Sequence, residues 1–340
     1  MNNINFVKGF FILLIVLGHD YQITSQVEGL FQFLYRFHVH AFLLLPFIFP
    51  IKSTSFSFIV DRAFRYLVPY LFFLVLSSVF FLILKGGVLF DFINNLVLAI
   101  FMSTPYFIKE SSGFQLYWFL PALFSLTALR FLAVKHNVFV LFVCVIVLLT
   151  PTSFLGDYYR YIPFCLIISM YIYPMGILSS FLYNHRRNNI VAMLSVIGFL
   201  ISSYYLHIEN VSINISVYRF GTVLNPLDFI AVLLCPITGF ISIFYLSEWI
   251  FKFSSIIHKL VCNIGSYSLI IYLVHPLFLQ FFYKLLEYIF KYDPIFDANL
   301  TTRIVGFLLA ILVPIILMKF LIVKFNIKNY IFPKGRFVKT

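Results

Sequence analysis

Long apolar runs and short polar connectors alternate along almost the whole chain. The runs are roughly 18–25 residues long, the length of helix that crosses about 30 Å of hydrocarbon. Ten can be placed, at 8–24, 31–51, 66–84, 116–133, 138–156, 161–182, 189–206, 228–250, 264–287 and 303–325. This pattern predicts an all-α integral membrane protein, a bundle of about ten transmembrane helices. The stretch 92–107 is apolar but short, and reads as an interfacial or re-entrant piece. The first run has neither a basic leader nor a small-x-small cleavage site, and it carries Lys8 and His19. It is expected to be a retained helix, not a signal peptide.

The connectors set the expected orientation. One alternating set holds Lys52, Arg62, Arg65, Arg130, Lys135, Arg186, Arg187, Lys252 and Lys259. The other set holds fewer cations, Lys85, Lys109, Arg160, Arg219 and Lys291, with most of the loop carboxylates, including Glu28, Asp91, Glu110, Glu209, Asp293 and Asp297. Because cytoplasmic loops are rich in Lys and Arg, both termini are expected in the cytoplasm. Counting 92–107 as a span would place Arg130, Lys135, Arg186 and Arg187 on the outside and spoil the asymmetry. Tyr117, Trp118, Tyr158, Tyr159, Tyr161 and Trp249, near the span ends, fit an aromatic belt.

Composition narrows the reading further. The 340 residues are 62% hydrophobic and 11% charged, against about 25% charged in soluble domains. No hydrophilic stretch remains to fold apart, so 1–340 is read as one transmembrane domain with a short cytoplasmic tail at about 326–340. The net charge of +12 is spread over short connectors, which points to topology and away from nucleic acid. Cys144, Cys165, Cys235 and Cys262 form no CxxC pair, so neither a disulfide framework nor a metal site is expected.

Ionisable groups inside a bilayer cost several kcal/mol and usually face a cavity or a partner. Lys8 and His19 lie eleven residues apart on the first run, on one helical stripe with Ile12 and Ile15. Such a stripe could link a charged ligand at one surface to chemistry deeper in the membrane, or else Lys8 snorkels and His19 bonds a neighbouring helix. Arg62 and Arg65, at i and i+3, share a helix face and can hold phosphates or anchor the span. His275 precedes Pro276, which frees the carbonyl of Tyr272. His38 and His40 point to nearly opposite sides of their helix, so only one of them is expected to face a cavity. Trp118-Phe119-Leu120-Pro121 is a further proline-broken aromatic segment. No G-x-S-x-G elbow, P-loop or dinucleotide fingerprint is present.

In this order, these pieces resemble the membrane-bound acyltransferase 3 family, whose members O-acylate bacterial surface glycans. The resemblance rests on Lys8-Gly9 with Val16-Leu17-Gly18-His19, on Phe37-His38, and on Arg62-x-x-Arg65-x-x-x-Pro69-Tyr70. It continues through Tyr117-Trp118-Phe119-Leu120-Pro121-Ala122-Leu123 and Gly265-x-Tyr267-Ser268-x-x-x-Tyr272-Leu273-Val274-His275-Pro276. The chain looks closest to fucose 4-O-acetylase-like members. It departs from the family pattern in having Lys8 where arginine is commoner, His40 in place of a proline, and Pro46-Phe47 in place of a Ser-Gly pair. The extracellular esterase-like domain fused to some relatives is not expected.

The resemblance implies an O-acetyltransferase of the bacterial cytoplasmic (inner) membrane. Acetyl-CoA would be the donor, a hydroxyl of a surface polysaccharide or lipid-linked oligosaccharide the acceptor, and no metal would be needed. It implies His19 and His275 as catalytic residues, Lys8, Arg62 and Arg65 as holders of the CoA phosphates, and His38, Trp118 and Tyr272 as acceptor contacts. Direct transfer and relay through an acyl-histidine both fit this set. A transporter or flippase of lipid-linked glycans is the rival from another class, and a glycan polymerase is a second.

Overall fold

Leu, Phe and Ile dominate the long runs. In hydrocarbon such a segment can satisfy its backbone N–H and C=O groups only by coiling into a helix. The computed structural model describes residues 3–51, 55–85, 89–150, 158–186, 188–211, 225–291, 300–322 and 328–333, and no strand occurs among them. The first seven helices are α1 (Asn3–His19), α2 (Tyr21–Thr24), α3 (Leu30–Leu44), α4 (Phe56–Lys85), α5 (Leu89–Met102), α6 (Pro105–Ser112) and α7 (Phe119–Leu149). They are followed by α8 (Leu166–Asn184), α9 (Asn189–Ile208), α10 (Pro226–Phe253), α11 (Ser255–Ser266), α12 (Ser268–Phe290), α13 (Leu300–Leu317) and α14 (Lys328–Ile331).

Among the described residues, eight helical stretches are long and apolar enough to cross a membrane, and α1 and α5 are shorter apolar helices. The all-α membrane architecture is therefore as expected, with differences in where elements end. The expected spans 116–133 and 138–156 meet within α7, which is two helical pieces joined at a kink where His136 leaves helical geometry (φ −129°, ψ 44°); residues 151–156 of the second lie outside the described residues. α4 begins at Phe56, so Arg62 and Arg65 lie on the helix itself. α5 has 14 residues, about 21 Å of rise and short of a full crossing. It stops at Ser103, whose φ of 56° breaks the helix before α6.

Polarity in α9 is inverted relative to a soluble helix. Ser195, Ser202, Ser203 and Leu206 are buried, while Ile190, Met193, Leu194, Ile197, Leu200 and Ile201 are exposed. Apolar side chains facing outward and small polar ones facing inward suit a lipid solvent.

The chain divides into two compact units. The first comprises Met1–Leu44, Ser179–Ile213 and Asn225–Lys324. Here α1 is surrounded by α3, α10, α11, α12 and α13. Phe6, Phe11, Ile12, Ile15, Phe240 and Phe244 fill its core, and Phe11 stacks on Phe240. The second unit comprises Leu45–Leu178, Asn214–Leu224 and Phe325–Thr340. In it α4 packs on α5, α6 and α7, the Tyr70 hydroxyl donates to the Ala99 carbonyl (2.6 Å), and Ser78 and Ser111 share a hydrogen bond (2.6 Å). Arg130, expected in a connector, lies within α7, where its guanidinium donates to the carbonyls of Pro46 and Phe49 and covers the Phe47 ring.

Candidate active site

Two glycines set the register of the first unit. A Cβ on Gly9 of α1 would run into the Val261 carbonyl and lie 3.0 Å from the Gly265 nitrogen of α11. A Cβ on Gly265 would run into the Asn5 carbonyl and lie 2.7 Å from the Gly9 nitrogen. The two backbones therefore touch, as small residues permit in membrane helix pairs. Ten residues beyond Gly9 is His19, and ten beyond Gly265, past the non-helical Tyr267 and on α12, is His275. Because α1 and α12 also pack together, the common rise of about 15 Å brings the two imidazoles to one level. Their ring centroids are 5.4 Å apart.

Both rings are held the same way. His19 Nδ1 lies 2.7 Å from the Ile15 carbonyl, and His275 Nδ1 lies 2.8 Å from the Ile271 carbonyl. The Tyr272 carbonyl, which Pro276 leaves without its helical partner, is also within bonding reach of His275. A carbonyl oxygen only accepts, so Nδ1 carries the hydrogen and each neutral ring presents Nε2 as a lone pair. His38 on α3 repeats the arrangement, with Nδ1 donating to Leu34 O. His38 and His275 are fully buried, and the Nε2 of each has no hydrogen-bond partner. His19 is half-buried. A lone pair on a positioned imidazole that keeps some access is what a general base requires.

Tyr35 ties His38 to this pair. Its ring lies 5.0 Å from His38 and 5.9 Å from His19. Gly18 makes room for the contact, since a Cβ there would sit 3.3 Å from Tyr35 Cε2 and 3.6 Å from His38 Nε2. Asp20 follows His19 but serves a different partner: its buried carboxylate accepts from the Tyr283 hydroxyl at 3.1 and 3.3 Å. Arg303, also buried, is within electrostatic reach of Tyr283.

Of the residues expected at the site, His19, His38, His275 and Tyr272 come together in the first unit; Tyr272 is buried, with its ring 6.3 Å from His275. Lys8 lies on α1 in the same unit, half-buried. Arg62, Arg65 and Trp118 belong to the second unit. There Arg62 is half-buried with its guanidinium 5.0 Å from the Phe58 ring centre, Arg65 is exposed and Trp118 is buried. Tyr35, Asp20, Tyr283 and Arg303 escaped the sequence reading. The signals available for two of them were local: Tyr35 is one turn before His38, and Asp20 adjoins His19.

A family model described as an acyltransferase domain, that of the acyltransferase 3 family, matches residues 1–319. No curated protein and no solved structure matches the chain.

Proposed function

The chain belongs to the acyltransferase 3 family, and from that membership we propose that it is an O-acetyltransferase. It moves an acetyl group from cytoplasmic acetyl-CoA to a sugar hydroxyl of a bacterial surface polysaccharide or its lipid-linked precursor. In this reading, acyl transfer follows from the family match over residues 1–319, and membrane embedding from the eight long apolar helices among the described residues. The observation that carries it is the pair of imidazoles, His19 and His275, whose Nδ1 hydrogens are held by helix carbonyls so that Nε2 faces outward from each ring.

In this mechanism His19 Nε2 takes the proton of the acceptor hydroxyl as the oxygen attacks the thioester carbonyl carbon. The carbon–sulfur bond then breaks, and the thiolate of CoA leaves with the proton returned by His19. His275, a lone-pair acceptor at the same level, accepts a hydrogen bond from a second hydroxyl of the acceptor and orients it. His38 and Tyr272 contribute to acceptor binding. Arg62 and Arg65 hold the CoA phosphates, with Lys8 at the entry to the His19 stripe. Transfer is direct, since the thioester is already activated.

Replacing His19 by Ala at normal expression is expected to lower transfer roughly 10²–10⁴-fold, the usual worth of a general base. Mass spectrometry of the surface glycan then shows one acetyl group fewer per modified sugar. Full acetylation in that variant sinks the base assignment. A deletion strain whose glycan is chemically unchanged but mislocalised points to transport instead.

A further inference from the structure

Acyl transfer places negative charge on the former thioester carbonyl oxygen, and that charge needs a hydrogen-bond donor where it develops. The three neutral histidines cannot supply one. His19, His38 and His275 each direct their one N–H to a carbonyl of their own helix, which leaves lone pairs toward the site. The Tyr283 hydroxyl is engaged by the Asp20 carboxylate.

Tyr35 has the missing chemistry at the right place. Its ring packs against both His19 and His38, and the Phe31 ring lies tilted against it with ring centres 4.3 Å apart. The carbon that approaches Gly18 is Cε2, next to the carbon bearing the hydroxyl, and the Nε2 edge of His38 approaches the same point. The hydroxyl end of the ring is thus set beside the residue that precedes His19. Tyr35 is half-buried, and among the described residues its hydroxyl donates to no carbonyl, carboxylate or hydroxyl.

Building on the acyl-transfer reading above, we propose that Tyr35 is a further catalytic residue, the donor whose phenolic O–H stabilises the oxyanion of the tetrahedral intermediate. As the acceptor oxygen bonds to the carbonyl carbon, the C=O electron pair moves onto oxygen, and Tyr35 hydrogen-bonds to it without giving up its proton. On collapse the C=O bond re-forms, the C–S bond breaks, and the departing thiolate takes the proton held by His19. No further reactant is consumed.

Tyr35→Phe keeps the ring against Phe31, His19 and His38 and removes only the hydroxyl. Its kcat is expected to fall roughly 10²–10³-fold, the typical loss of one oxyanion donor, with an unchanged KM for acetyl-CoA and an unchanged unfolding midpoint in detergent. An unaltered kcat, or a loss confined to KM, overturns the proposal. His19→Ala measured in the same assay separates the two levels. Residual full activity there refutes the base, whereas an inactive His19→Ala beside a fully active Tyr35→Phe refutes only the donor. If Tyr35→Phe lowers the midpoint, 3,5-difluorotyrosine at position 35 decides the matter, since it keeps the donor and makes it more acidic. A kcat at or above the parent level supports the role, and a kcat as low as that of Tyr35→Phe rejects it.

Discussion

His19 and Asp20 are neighbours in the chain whose side chains serve different partners. The imidazole donates to Ile15 O and lies against His275, while the carboxylate accepts from Tyr283. Asp20 is therefore read as a structural tie between the end of α1 and α12, not as an orienter of the base. Asp20→Ala would leave the half-buried Tyr283 hydroxyl without this acceptor, at a cost of about 1 kcal/mol, the low end for a lost partner. A lower unfolding midpoint, with transfer activity per folded molecule retained, is the expected result; an unchanged midpoint with a large loss of kcat would assign Asp20 to the catalytic apparatus instead. The residues legible in the sequence were those that do not belong in hydrocarbon, such as His19 and His275 within apolar runs. Asp20 was missed because it sits where a run gives way to a connector and a carboxylate there passes for a loop residue. Tyr35 was missed because a tyrosine near a span end passes for an interfacial anchor.

At the scale of elements, the pairing of the histidines is a consequence of the Gly9–Gly265 contact, about three helical turns away. The atoms that a new side chain would meet at Gly265 are the Asn5 carbonyl and the Gly9 nitrogen. These are backbone atoms, which cannot rotate aside as a side chain can. Gly265→Val is expected to separate α1 from α11, to cost about 1–3 kcal/mol as overpacking does, and to abolish transfer by moving His275 off its level with His19. Thermal unfolding and transfer rate measured together test this, and a Gly265→Val protein with parental activity would show that the register is set elsewhere. Both glycines stood inside motifs quoted from the sequence, yet their contact spans most of the chain and no local spacing predicts it. Helix ends were similarly hard to read. Lys135-His136-Asn137 has the polarity of a connector, and the chain does break there, as a kink at His136 between two helical pieces with no loop. Arg62 and Arg65, expected on one helix face just before a span beginning at 66, lie on a helix that starts well before them, at Phe56. A charged residue can remain helical near the interface when its long stem lets the head reach water, so charge alone is a poor marker of where a helix starts.

Across the whole molecule, the imidazoles belong to one compact unit and the arginine pair to the other, so the proposed donor-binding and catalytic roles are separable by mutation. Arg62 and Arg65 lie one turn apart on α4, one half-buried and one exposed. A hydrogen bond from a charged donor is worth about 1.5–3 kcal/mol, but solvent screening puts an exposed pair at the low end. The double variant Arg62→Ala/Arg65→Ala is therefore expected to raise the KM for acetyl-CoA about tenfold, since each 1.4 kcal/mol is about a factor of ten. Its kcat and unfolding midpoint are expected to stay near parental values, because neither arginine lies in the unit that holds His19, His38 and His275. Raising the salt concentration should weaken the parent protein's hold on the donor more than the variant's. Acetyl-dephospho-CoA, which lacks the 3′-phosphate, identifies the group that is held. If the pair grips that phosphate, parent and variant converge on one KM with this donor; if it grips the diphosphate, the tenfold gap persists. An unchanged KM with acetyl-CoA itself would remove both arginines from donor binding and leave them as anchors of α4, while the assignment of the base to His19 would stand or fall on its own variant.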